Sequence, residues 1–417
     1  MSEAVRNWAR NVEFRAARVH RPTTLDELSG IVADADHVRV LGTGHSFNRI
    51  ADTQGDLVLL SDLPADLEID AEAGTATVAA GLRLAEISAR LHAGGFALAN
   101  LPSLPHISLA GACATATHGS GDGNQNLAAF IRSVRLVDAE GDVVELTRGV
   151  DEDFPGAPVS LGARGVITHL TVDVQPTFDV AQYVYQDTLL DEVIEKHEDV
   201  YASGYSVSTF TNWADPRANV WLKLRAEAVA PQGPQREWLG GALAAEAMHP
   251  VPGVPGEMCT QQLGVPGPWF ERLPHFRPEF TPSKGDELQS EFFVPRARAG
   301  EALEAMRRLG DRIAPVLLTA EIRTVAADDL WLSPAYERDC FALHFTWLPD
   351  RAAVTPVLGA IEDALLPLDA RPHWGKLFVG GPEAALATYP RAGDFRRMLE
   401  RRDPRGTFRN DFINGLF

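Results

Sequence analysis

The chain has 417 residues, 45% of them hydrophobic and 23% charged. That length carries two or three domains and that balance a large buried core, which excludes a disordered, collagen-like or disulfide-scaffold chain. Lys and Arg total 38 against 57 Asp and Glu, a formal net charge of −19, which repels phosphate backbones and anionic lipid and makes nucleic acid and membrane surfaces poor partners. Three cysteines, Cys113, Cys259 and Cys340, form no C-x-x-C pair. They fit a reducing compartment and offer neither a disulfide framework nor a zinc site. The first ten residues hold no apolar leader core, and no run approaches the ~18 apolar residues of a membrane span. The sequence therefore reads as cytoplasmic.

In chain order, Pro22 to Leu28 opens a helix, capped by Thr23 or Thr24 with Asp26 and Glu27 at its positive end. Residues 38–41 read as a short strand running into a glycine turn, Gly42-Thr-Gly-His-Ser-Phe-Asn48. Residues 71–80 read as a hairpin turning at Gly74, and 84–91 as an amphipathic helix ended by Gly94-Gly95. Strands over 134–138, 142–146 and 165–174 complete a strand-rich half, with a boundary at Pro176. Beyond it, helices are expected over 189–200 and 301–313, the second with a stripe of Leu303, Met306, Leu309 and Ile313. Residues 230–285 are rich in Pro and Gly and too long for an ordinary connection, so they read as irregular structure wrapped on a scaffold. Residues 380–388 point to no function.

Three segments carry chemistry. Glycines directly after a strand let the backbone reverse and aim several N–H groups into one concavity, as a pyrophosphate requires. The third glycine of the dinucleotide fingerprint is missing. The same turn nearly matches the hydrolase elbow G-x-S-x-G with Ser46 as nucleophile, but Asn48 replaces its last glycine. A plain turn fits the pattern as well as a site does. From Ser108 to Gly121 almost every residue is small, so a flat or extended ligand can lie against the backbone; tight internal packing accounts for the same run. In the expected strand 315–325, period two puts Thr319, Glu321 and Arg323 on one face, with Leu318, Ala320 and Ile322 on the other. In 340–347 it puts Ala342, His344 and Thr346 opposite Leu343, Phe345 and Trp347. A third expected strand, 373–379, adds Lys376. Converging, these groups form a pocket for a polyhydroxylated molecule; on pattern alone a solvated sheet face remains open.

Taken together, four motifs resemble the alditol (xylitol) oxidases, within the vanillyl-alcohol-oxidase-type flavoproteins. They are Gly42-x-Gly-His-Ser-Phe47 after a strand, Ser103-Leu-Pro-His-Ile-Ser-x-Ala-Gly-x-x-Ala-Thr-x-Thr-His-Gly-Ser-Gly121, Glu321-Ile-Arg-Thr-Val325 and Arg371-Pro-His-Trp-Gly-Lys376. The resemblance runs from Asn7-Trp8 to Phe408-x-Asn410. Related aldonolactone oxidases share the first two motifs, so the last two decide between these neighbours. The resemblance implies an α+β fold: a two-subdomain FAD-binding domain over 1–176, a substrate-binding cap over 177–370 with a mixed or antiparallel sheet flanked by helices, and a segment 371–417 that completes the active site and packs back on the first domain.

It also implies roles. His45 would be joined through a ring nitrogen to the flavin 8α-methyl. The backbone of Leu41, Gly42, Thr43, Gly44 and Ser46 would hold the pyrophosphate. Ser108, Gly111, Ala112, Thr115, Gly119, Gly121 and Ile167 would line the cofactor, and His373 would approach the flavin. Ser103, beside the cofactor, and Glu321, Arg323, His344, Thr346 and Lys376 would hold the polyol at flavin N5. Hydride would pass from C1 to N5, with Arg323 and Lys376 stabilising the developing alkoxide and Glu321 or His344 accepting the proton. Dioxygen would reoxidise the flavin, giving peroxide; Pro102 stands where close relatives carry a small residue such as alanine, which bears on oxygen access. The partners implied are a polyol and O2, with the chain a monomer and no metal involved. Other readings are an aldonolactone or sugar oxidase of the same fold, a serine hydrolase using Ser46, and a carbohydrate-binding module.

Overall fold

A computed structural model describes residues 5–280 and 285–417. The start of the N-terminal stretch (1–4) and part of the Pro- and Gly-rich tract (281–284) lie outside the described residues. Local sequence chemistry sets the first elements. The helix Leu25–Asp34 begins at Thr24, whose side chain accepts from Glu27 N at 3.2 Å, while the Glu27 carboxylate reaches back to Thr23 N at 2.8 Å. The hairpin Leu67–Asp70 to Thr75–Ala79 turns at Gly74, whose φ of +65° suits glycine.

Three larger sheets, besides a two-stranded pairing of Phe96–Ala97 with Gln175–Pro176, organise the described chain. Strands Arg18–His20, Asp56–Val58 and Val38–Val40 form a small parallel sheet. Five antiparallel strands follow in the order Leu67–Asp70, Thr75–Ala79, Val166–Asp173, Ile131–Val137 and Val143–Thr147. The third sheet has ten strands among the described residues, with Asp179–Leu189, Arg217–Arg225, Ser206–Thr211, Leu317–Val325, Cys340–Trp347 and Leu288–Pro295 side by side in that order. Helices Ala299–Arg308 and Arg351–Leu365 pack against each other and against its strand Leu288–Pro295.

Two cores result. One joins the first two sheets to Phe395, Met398, Leu399 and Phe408 from the C-terminal end and to Leu330, Trp331 and Leu332 from a loop of the large sheet. The other, around Trp213, Phe292, Phe345 and Trp347, sits between the large sheet and its helices. Phe47 of the glycine turn belongs to this second core, so one buried ring fastens the turn to the opposite half of the molecule.

Several expected elements take different forms. Residues 189–200 form two short helices, Leu190–Glu195 and His197–Ala202, that meet at Lys196, where His197 Nδ1 bonds the Ile194 carbonyl at 2.7 Å. The second expected helix divides into Ala299–Arg308 and Gly310–Ile313. A Cβ at Gly310 would lie 2.4 Å from the Trp213 carbonyl oxygen, so only glycine lets the helix pass there. Residues 373–379 are not a strand. Only Arg371–Pro372 pairs with the sheet, and the chain then turns, with Gly375 N donating to His373 Nδ1 at 3.1 Å and Lys376 N to the His373 carbonyl at 3.0 Å. No helix among the described residues is long and apolar enough to cross a membrane.

Candidate active site

The glycine turn, the small-residue run and the large sheet enclose a cavity of about 580 Å³. On one side lie Leu41, Gly42, Thr43, Gly44, His45 and Ser46. Gly44 has φ +70°, and its carbonyl accepts from Trp8 N at 2.8 Å. Trp8 stacks on the His45 ring, centroids 5.1 Å apart. Burial pushes the His45 imidazole down to about 4, and its Nδ1 is buried with no hydrogen-bond partner among the described residues. Ser108, Gly111, Ala112, Thr115 and Ile167 continue this side. A Cβ at Gly42 would stand 2.8 Å from Ser108 Oγ, and one at Gly111 would stand 3.0 Å from it. An orphaned imidazole nitrogen beside a cradle that side chains would fill fits a flat cofactor bearing a pyrophosphate.

Gly119 and Gly121, expected beside the cofactor, are not among the residues that line the cavity. A Cβ on Gly119 would lie 2.2 Å from Asn100 Oδ1. Gly121, at φ +136°, donates its N–H to the Thr324 carbonyl at 3.0 Å and bridges to Val325. Gly119 thus serves close packing within the first half, and Gly121 close packing between the two halves.

The opposite side is charged. Strand register sets Glu321 directly across from His344 and Thr319 across from Thr346, and the next strand sets Glu291 against His344 and Gln289 against Thr346. All of these line the cavity with Arg323, and the reverse face of the strands packs in the second core. Both faces are thus buried, so this is no solvated sheet surface.

Glu291, 1% exposed, gathers the cations: Arg323 Nη2 lies 2.5 Å from its Oε1 and Lys376 Nζ 2.8 Å from its Oε2. His118 Nε2 stands 3.3 Å from Glu291 Oε1 but is not aligned for a hydrogen bond. Lys376 and Arg323 outweigh burial and hold the Glu291 carboxyl well below the usual carboxylate range. Glu321 is likewise held low by Arg323 and His275 against burial. Burial, then Lys376, keeps His344 and His373 well below the usual imidazole range. Gln289 donates its amide N–H to Glu287 and so turns its oxygen to His344 Nε2 at 3.1 Å. That assigns the His344 proton to Nε2 and leaves a lone pair on Nδ1, 4.0 Å from Glu321 Oε2.

Lys376 and His373 reach the cavity because the glycine turn holds their segment. Phe47 N donates to the Gly375 carbonyl at 2.7 Å, and Asn48 Nδ2 donates to the carbonyls of Trp374 at 2.7 Å and Lys376 at 2.9 Å. Asn48, the residue that spoiled the hydrolase elbow, is therefore a fastening. Turns rather than a helix follow Ser46, and among the described residues no hydrogen bond joins its Oγ to a histidine, which leaves the elbow without its base. Ser103 lines the cavity, and its carbonyl accepts from His275 N at 3.2 Å; Pro102 lies beside it.

Sequence reading missed Glu291, Gln289, His118 and His275. Gln289 and Glu291 show the same two-residue spacing as the strands that were found. His118 lay inside the small-residue motif, and His275 sits in the irregular tract, where no periodicity marks it.

Comparison with known proteins agrees with this geometry. An FAD binding domain family matches residues 16–147, and a D-arabinono-1,4-lactone oxidase family matches residues 285–416. The chain is 50% identical to the alditol oxidase of Streptomyces sp. over 100% of this chain and 99% of that protein. It is 30% identical to the L-gulono-1,4-lactone dehydrogenase of Mycobacterium tuberculosis, covering 99% and 98%. A crystal structure of cholesterol oxidase from B. sterolicum aligns with a TM-score of 0.78 at 15% identity over 99% of this chain and 96% of that one, a likeness of fold alone. With half its residues shared end to end with an alditol oxidase and an FAD binding domain matched over residues 16–147, the chain belongs to the alditol oxidase family of FAD-dependent oxidoreductases, with the two-domain vanillyl-alcohol-oxidase-type fold.

Proposed function

We propose that the protein oxidises the terminal C1 hydroxyl of alditols such as xylitol and sorbitol to the aldose, with dioxygen reduced to hydrogen peroxide. The observation that carries this reading is the full-length 50% identity to an alditol oxidase, joined to a buried wall of Glu321, Arg323, His344, Thr346 and Lys376 facing the His45 turn. Bound FAD supplies the two-electron acceptor for the hydride and the site at which dioxygen is reduced.

The protein's own residues do the rest. His45 Nδ1 is the atom we assign to the covalent bond with the flavin 8α-methyl; that it has no hydrogen-bond partner among the described residues supports this. The N–H groups of the 41–46 turn hold the pyrophosphate, and Ser108, Gly111, Ala112, Thr115 and Ile167 line the ring system. Thr346, Ser103 and ionised Glu321 take hydroxyl hydrogen bonds. Arg323 and Lys376 stabilise the oxygen that loses its proton. The proton goes to His344 Nδ1, because the Gln289 carbonyl oxygen fixes the ring proton on Nε2 and leaves a lone pair on Nδ1.

A lactone substrate is the second reading, favoured by the lactone oxidase match over residues 285–416. Peroxide release from xylitol and sorbitol, measured beside aldonolactones, separates the two; peroxide from a lactone alone overturns the polyol assignment. Acid precipitation tests the linkage: the pellet stays yellow for the native protein, and His45→Ala releases the colour to the supernatant. A white native pellet removes the covalent bond and leaves FAD binding intact.

A further inference from the structure

Behind Glu321 lies a lysine that takes no part in the cavity wall. Lys223 is 1% exposed, in the strand Arg217–Arg225. Its Nζ donates to the Leu273 carbonyl at 2.5 Å and lies 3.2 Å from His275 Nδ1. His275 Nε2 lies 2.8 Å from Glu321 Oε1. Among the described residues no carboxylate stands within salt-bridge distance of Lys223, and an unpaired buried ammonium is costly.

We propose that Lys223 is a positioning residue: it holds His275 neutral with its proton on Nε2, so that Glu321 stays an ionised acceptor whose Oε2 faces the substrate. The inference rests on the reading of Glu321 as part of the polyol site. An ammonium has only donors, so His275 Nδ1 must present a lone pair to it. A neutral Lys223 could accept from Nδ1–H instead, but the Nε2 lone pair would then confront a carboxylate at 2.8 Å. Only the Nε2–H form satisfies both neighbours. Oε2 is left toward Arg323 Nε at 3.6 Å and His344 Nδ1 at 4.0 Å, two cavity residues.

Every group around the imidazole bears on its charge. Trp221 and Lys223 face it from one strand, Phe210 from the next, Glu321 and Arg323 from the third, and Phe276 from its own tract. Lys223 and Arg323 disfavour an imidazolium, and Glu321 alone favours one. Burial first and Lys223 second push His275 down to about 4. Without Lys223, Nδ1 becomes a buried acceptor with no partner and takes a proton. The imidazolium then ties up Glu321 as an ion pair, at the expense of its hydrogen bonds to substrate.

The test joins a spectrum to kinetics. In FAD-loaded enzyme carrying ¹⁵N-histidine, with His275 assigned by its loss in His275→Gln, the shifts should show a protonated Nε2 and a bare Nδ1, with no imidazolium appearing from about pH 5.5 to 8. In Lys223→Met, which keeps the burial and loses only the ammonium, kcat/KM for xylitol should gain an acid limb at about pH 5–6, between the native His275 value of about 4 and a free imidazole. About one pH unit below that limb its value should be down about tenfold, mainly through KM. In a His275→Gln background, where an amide N–H2 donates to Glu321 without a tautomer to hold, Lys223→Met should add less than about twofold. A native His275 that is protonated on Nδ1, or that titrates in this range, overturns the proposal. So does a loss of equal size at every pH and in both backgrounds. If Lys223→Met retains no FAD, or if no polyol is oxidised, the native nitrogen shifts decide the matter alone; failure of the polyol reading appears only in the kinetics.

Discussion

The two walls of the cavity are made by opposite means. The side formed by Leu41 to Ser46 and Ser108 to Thr115 is shaped by missing side chains, with backbone N–H groups and an unpartnered imidazole as its polar features. The other side packs two carboxylates, Glu291 and Glu321, against two cations, Arg323 and Lys376, nearly all out of water. The first wall recognises by shape and tolerates no added atom. The second recognises by charge and tolerates no lost one, because each buried ion depends on its partner. A redox cofactor and a polyol need these two environments side by side.

The largest effect is expected on the charged wall. Glu291→Gln removes the carboxylate that holds Arg323 and Lys376, and leaves Lys376 with no carboxylate within salt-bridge distance among the described residues. Denaturant unfolding should show a loss of about 3–5 kcal/mol at pH 7, as for one partner removed from a buried pair. We expect kcat/KM for xylitol to fall by about 10²-fold or more as both cations lose their positions. The pH dependence gives the sign. The folded Glu291 carboxyl sits below its ordinary value, so its contribution is complete above about pH 4.3 and is lost as pH falls below that. The stability gap between native and variant should therefore begin to close as pH falls into that acid range. Buried neutral His118, His344 and His373 lower the stability of both proteins from about pH 6.5 downward, leaving the gap unchanged there. A variant within a few-fold of native activity would mean that Glu291 does not organise this wall.

On the small-residue wall the expected effect is smaller and of a different kind. In Gly42→Ala the new methyl meets Ser108 Oγ at 2.8 Å. Forcing an atom into a filled space costs about 1–3 kcal/mol, read as lower FAD content after purification. The fraction that does load should keep the native KM for polyol, since the charged wall is untouched. Ser108→Gly in the same chain removes the obstructing atom and should restore loading. If FAD content is unchanged in Gly42→Ala, or if KM moves instead, the division of labour between the walls is wrong.

The same contrast explains what could be read from sequence. Thr319, Glu321 and Arg323, and His344 with Thr346, were legible because a strand alternates its faces, and the register then paired them. Gln289 and Glu291 carried an equal signal on a strand ending in Phe292, Phe293 and Val294, where apolar character masked it. Periodicity says nothing about His275, whose place is set by the packing of an irregular tract against Lys223. The run from Ser108 to Gly121 showed that something must approach closely, but not what: Gly111 faces the cavity, while Gly119 faces Asn100. The apolar run 373–379 resembled a strand because the contacts that make it a turn, from Phe47 and Asn48, come from more than 300 positions earlier in the chain.

Those contacts give the smallest and most specific prediction. Asn48 lies on the turn of the first wall, yet its amide carries the carbonyls of Trp374 and Lys376, which belong to the second. Asn48→Ala removes two donors from carbonyls that have little water to replace them, at about 1–2 kcal/mol. The loosened atom is the Lys376 backbone, so KM for xylitol should rise about three- to tenfold with kcat less affected. Yellow colour in the acid pellet should persist, because His45 lies three residues away on a turn still held by Gly44 to Trp8 and Phe47 to Gly375. Asn48→Asp should be worse than alanine, since a carboxylate facing two carbonyl oxygens adds repulsion. Loss of flavin attachment with an unchanged KM would instead place Asn48 wholly in the service of the first wall.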